Sequence, residues 1–87
     1  MNSLSSLLAE AIDLAEKLGF TVRHELLDGA GGGHCILSMR KLLLLDVTQS
    51  DEEQLADVVD ALRGEIQLWK HPVSPQLASR VQLTQAA

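Results

Sequence analysis

The hydrophobic repeat of this chain changes period at Gly19, and that change restricts it to folds in which a helix leads directly into a sheet. Upstream, Leu4, Leu7, Leu8, Ala11, Ile12, Ala15 and Leu18 recur at spacings of three and four, one face of a helix. Downstream, Phe20, Val22, His24 and Leu26 alternate with Thr21, Arg23 and Glu25, as in a half-buried strand. Gly19 stands at the junction, where helices favour a residue at ease in the left-handed region. Ser3 is placed to cap the helix start, and Glu10, Asp13, Glu16 and Lys17 fall on the wet side.

Two further strands follow, in "HCILS" (34–38) and, after the Met39-Arg40-Lys41 bend, in "LLLLDV" (42–47). Ser50 then opens a capping box: its hydroxyl can accept from the Glu53 amide while the Glu53 carboxylate reaches back to the Ser50 amide. Asp51, Glu52 and Glu53 suit the positive end of a helix dipole. Leu55, Val58, Val59, Leu62 and Ile66 supply the apolar stripe, and Gly64 ends or frays it. Beyond Trp69, Pro72 and Pro75 punctuate, and the remainder is weakly amphipathic through Leu77, Val81 and Leu83 or Thr84. An isolated helix that short is marginal in water and needs a surface to dock on.

The expectation is one α+β domain over residues 1–70, ordered α-β-β-β-α, with a tail over 71–87 that is either mobile or a short docking helix. Short links between the strands suggest an antiparallel meander, with both helices on one face in two layers. A chain of 87 residues suits a single domain. At that length only about 60–65% of the unfolded surface is buried, so the core must be compact or completed by a second chain.

Charge removes some function classes. The net charge is −5 and only 7 residues are Lys or Arg. Nucleic-acid binding is therefore not expected, since it needs clustered cations to release counterions, and single strands also need aromatic platforms. Phe20 and Trp69 are the only such rings. The longest apolar run, Leu42 to Leu45, falls far short of the ~20 residues that cross a bilayer. No secretory pattern opens the chain, and its one cysteine can form no internal disulfide. A cytoplasmic protein without a membrane partner is the expectation.

"LDGAGGGHC", residues 27–35, is the stretch closest to chemistry. A phosphate loop sets its glycines between a strand and a helix, so that the helix N-terminus meets the anion. Here a strand follows, with no Lys-Ser/Thr pair. A hairpin turn explains the glycines more simply, because some loop residues must adopt positive φ and Asp28 can bond the turn backbone. Four glycines exceed what one turn requires, which keeps Gly29, Gly31, Gly32, Gly33 and His34 as candidate ligand-binding residues. Cys35 paired with His34 as nucleophile and base is disfavoured, since strand neighbours point to opposite faces. Cys35 is expected to be packed and inert. If residue 28 pairs with residue 34, then Asp28, His34 and Asp46 could converge as three metal ligands, although their spacing matches no known signature. A hydrated rim of polar loop ends is the plainer alternative. No catalytic residue, metal or cofactor is assigned.

The third strand puts leucine on both faces, at Leu42, Leu43, Leu44 and Leu45, which reads as burial on both sides. In a meander this strand is also an edge. Two apolar faces and open backbone groups invite another chain. Alternatively, the tail with Trp69, Leu77 and Val81 folds over the second face. The functional expectation is a non-catalytic interaction or self-association module whose partner is itself or another protein, contacted through Leu42–Leu45 and Trp69. The rival is a minimal enzyme or ligand-binding domain using the glycine loop with Asp28, His34, Cys35 and Asp46.

Overall fold

The computed structural model describes residues 3–81. Its elements are α1 (Leu4–Lys17), β1 (Phe20–Glu25), β2 (Gly33–Leu37), β3 (Arg40–Asp46), α2 (Asp51–Arg63), a single 3₁₀ turn (Leu68–Lys70) and α3 (Pro75–Val81). The α+β architecture follows the pattern of the chain. Ser3 caps α1 by accepting from the Ser6 amide, and Gly19 leaves the helix with φ +100°. Ser50 and Glu53 form both halves of the capping box on α2. Leu7, Leu8, Ala11, Leu14 and Ala15 of α1 are buried, as are Leu55, Val58, Val59, Ala61 and Leu62 of α2. Ile66, expected to extend the α2 stripe, is exposed because the helix stops at Arg63.

The sheet is mixed rather than an antiparallel meander. Its strand order is β1-β3-β2, with β1 parallel and β2 antiparallel to β3. The leucine strand is therefore central, and both of its backbone edges are paired. Short links suggested that neighbours in sequence would be neighbours in space. Instead the 26–32 segment carries the chain across the end of β3's place, and β3 returns between the two earlier strands.

The pleat sorts the leucines. Leu43 and Leu45 point to the helices and are fully buried, whereas Leu42 and Leu44 lie on the opposite face and are half-buried. On that open face, Thr21, Leu42 and Cys35 form one rung, and Arg23, Leu44 and Gly33 the next. None of these six is buried, so the sheet is covered on one side only among the described residues.

As far as Val81, the described part of the tail does not cover the second face. Leu77 and Val81 of α3 are buried in the same core as α1 and α2, while Trp69 is exposed. Polar contacts fix α3 to both helices. The Ser74 amide and hydroxyl donate to the two oxygens of Glu10 at 2.9 and 2.7 Å. Arg80 donates to Glu52 at 2.6 Å, and Arg63 to the Arg80 carbonyl at 2.9 Å. Leu83 and Thr84 lie outside the described residues.

Candidate interaction surface

The glycine segment spans the end of the sheet, and what it spans is Asp46. This aspartate ends β3, is fully buried, and accepts five hydrogen bonds. Leu27, Gly29 and Gly31 donate from their amides at 3.2, 2.9 and 3.1 Å. Thr48 donates from its amide at 3.0 Å and from its hydroxyl at 2.6 Å. Burial pushes the Asp46 carboxyl up, but the hydrogen bonds from Thr48, Gly31 and Leu27 outweigh it and bring the pKa down to about 2. The Gly32 amide donates to Asp57 on α2 at 3.3 Å.

This arrangement accounts for three of the four glycines. Gly29 and Gly31 have φ of +83° and +87°, and Gly32 has no room for a side chain, because a Cβ there would collide with the Leu44 carbonyl. Gly33 has open space. The amides that could have received an anion are donating to Asp46 and Asp57, two carboxylates of the chain itself. The loop is an anion nest filled from within.

Asp28, His34 and Asp46 do not converge. The pairing of residues 28 and 34 presupposed that β1 and β2 were neighbours, but β3 lies between them. His34 instead stands opposite Leu43 on the helix side, with Nδ1 3.7 Å from Asp60 of α2 and its ring edge-on to Phe20. Cys35 faces the other way, as strand neighbours must. It is exposed rather than packed, because it lies on the face that no helix covers. Among the described residues, no group of three or more His, Cys, Asp or Glu is placed to hold a metal ion.

Exposed apolar side chains also stand at the hairpin end of the sheet. Leu37-Ser38-Met39-Arg40 turns in two residues, with Ser38 at φ +52° and Met39 at φ +65°. Both central residues in the left-handed region define a type I′ turn, which ordinarily uses Asn and Gly; two side-chain-bearing residues there store strain. Around this turn Ile36, Leu37 and Met39 are 74, 61 and 96% exposed. The adjacent helix-side cleft, about 420 Å³, is walled by Phe20, Ile36, Ala61 and Gly64. The Lys41–Glu65 pair closes it at 2.5 Å, with the Lys41 ammonium 4.8 Å from the Phe20 ring centre.

Sequence reasoning missed Ile36 and Met39, which read as ordinary strand and bend residues. A signal was present, because only the four residues Ser38 to Lys41 separate the apolar runs ending at Leu37 and starting at Leu42, which marks a tight hairpin. The role of Asp46 also had a signal, a lone carboxylate ending an apolar run and followed two residues later by threonine. No helix among the described residues is long and apolar enough to cross a membrane. In comparison with known proteins, no family model, no curated protein and no solved structure matches this chain.

Proposed function

We propose that the chain is a non-catalytic protein-interaction module and that its binding surface is the hairpin side of the sheet. The observation that carries this reading is the exposure of Ile36, Leu37 and Met39 on and beside β2, whose outer edge pairs with no other strand among the described residues. Apolar side chains gathered at one edge of a small domain mark a place where another chain docks. Cys35, Leu42 and Leu44 extend the apolar character onto the open face. Of the residues first assigned to an interface, Leu43 and Leu45 belong to the core. Of the polar groups that suggested chemistry, Asp46 holds the crossover, and His34 and Cys35 lie on opposite faces of the strand.

Site-specific photocrosslinking in cells expressing the chain tests this reading. A photoreactive residue at position 37 should give one discrete protein adduct, and the same residue at position 13, on the wet side of α1, should give none. Indistinguishable adduct patterns at the two positions, or no adduct at 37, would overturn it. The mass of the adduct separates a second copy of the chain from another protein.

A further inference from the structure

We infer that the β2 edge accepts an extended segment of a partner protein as a fourth strand, and that this segment carries a basic residue on the side facing α2. The inference rests on the interaction reading above and names the occupant of its edge. The first support is backbone geometry. In a two-residue hairpin the residues flanking the turn, Leu37 and Arg40, form a hydrogen-bonded pair, and such pairs alternate along the ladder. Leu37, Cys35 and Gly33 therefore turn their backbone groups towards β3. His34 and Ile36 present theirs outward, where an incoming strand can bond them.

The second support is the contrast between the two edges. Edge strands commonly carry charge that discourages unwanted pairing. β1 carries Arg23 and Glu25, ion-paired at 2.9 Å, whereas β2 has neither a Lys or Arg nor a carboxylate. The third is charge complementarity. α2 runs beside β2, with Asp57 bonded to Gly32 at its start and Asp60 next to His34. An added strand would direct every second side chain along this acidic flank. Lys or Arg at the Asp60 level meets opposite charge there, and Asp or Glu meets like charge. Two residues along, the same face of the added strand reaches the cleft beside Ile36, which takes an apolar side chain.

Other occupants fit less well. Pairing β2 with a second copy brings two acidic α2 flanks together and offers no Lys or Arg from "GHCIL". Residues 82–87, "QLTQAA", contain no charge at all.

The test is an NMR titration of the isotope-labelled full chain with blocked peptides of alternating lysine and valine. The largest shifts should fall on the His34 and Ile36 amides, and their hydrogen exchange should slow. A glutamate–valine peptide should bind at least tenfold more weakly, and Asp60→Lys should reverse that order. Methylating the peptide nitrogens that face β2 should weaken binding at least tenfold. The inference is overturned if the lysine–valine peptide leaves both amides unmoved at millimolar concentration, or if N-methylation has no effect, which would mean attraction by charge alone. It also falls if the chain alone sediments as a dimer with both amides already protected, since a second copy then holds the edge. If strand addition fails while position 37 still forms its partner adduct, the interaction reading stands without it. If both fail, neither stands.

Discussion

Asp46 couples the stability of this fold to pH. Its folded pKa of about 2 lies below the ordinary 3.8, so the unfolded chain takes up this proton first as pH falls. The carboxylate's contribution is therefore complete above roughly pH 5, declines through the ordinary value, and is gone below the folded pKa. Asp46→Asn should lower the urea midpoint at neutral pH and flatten the acid limb of stability between pH 5 and 2; a mutant with the parental limb would show that another group carries it. The glycines separate in the same experiment. Gly32→Ala, forced against the Leu44 carbonyl, should cost roughly 1–3 kcal/mol as other overpacked sites do. Gly33→Ala, facing open space, should stay within about 0.5 kcal/mol. Cys35 should react with a maleimide as fast in native protein as in urea, and slow native labelling would mean that its face is covered. That four glycines were too many for one turn was legible in the sequence. That Gly29 and Gly31 serve Asp46 was not, because it lies 15 to 19 residues from their amides and that of Leu27.

At the scale of elements, what depends on near neighbours could be read directly. The α2 cap needs only Ser50 and Glu53, three residues apart, and both hydrogen bonds are present. Ser50→Ala should cost roughly 0.5–2 kcal/mol, measured as a shift in the urea midpoint. Strand order depends on contacts across the whole sheet, and alternation within "FTVRHE" says which side chains share a face without naming the strand beside them. The antiparallel meander was the shortest path through three strands, and the actual path is longer by one crossing. The β2–β3 turn is the element most open to improvement. Replacing Ser38-Met39 by Asn-Gly should relieve the left-handed strain and raise stability by roughly 1–2 kcal/mol. No gain would mean that Met39 contributes contacts that offset its conformation.

For the whole molecule, the decisive fact is where α3 went. It deepens the helical layer, and the open sheet face has no cover among the described residues. A chain of this size has a net stability of only about 4–13 kcal/mol, so a third helix in the core is not an accessory. Leu77→Ala should cost roughly 2–5 kcal/mol, the range for a fully buried leucine, and should lower the midpoint of the entire unfolding transition. If only helicity fell while the sheet unfolded at its former midpoint, α3 would be a separate cooperative unit. The tail's two fates could be stated from the sequence but not decided, since docking requires a groove that exists only once α1 and α2 are packed.

The crossing of residues 26–32 over β3 also orders events in time. β2 and β3 join through two residues and can zip early, whereas β1 reaches β3 only after the seven residues 26–32 cross and close their loop, at an entropic cost that delays it. Three of the five hydrogen bonds to Asp46 come from amides of that segment, so the expectation is that the clamp completes only after the hairpin and its crossing are in place. Asp46→Asn should then speed unfolding and leave the refolding rate nearly unchanged, while Asn-Gly in the turn should accelerate refolding. In stopped-flow experiments the two changes would displace opposite arms of the chevron. On that outcome the aspartate would be a latch, governing how long the domain stays closed and having little influence on how quickly it closes.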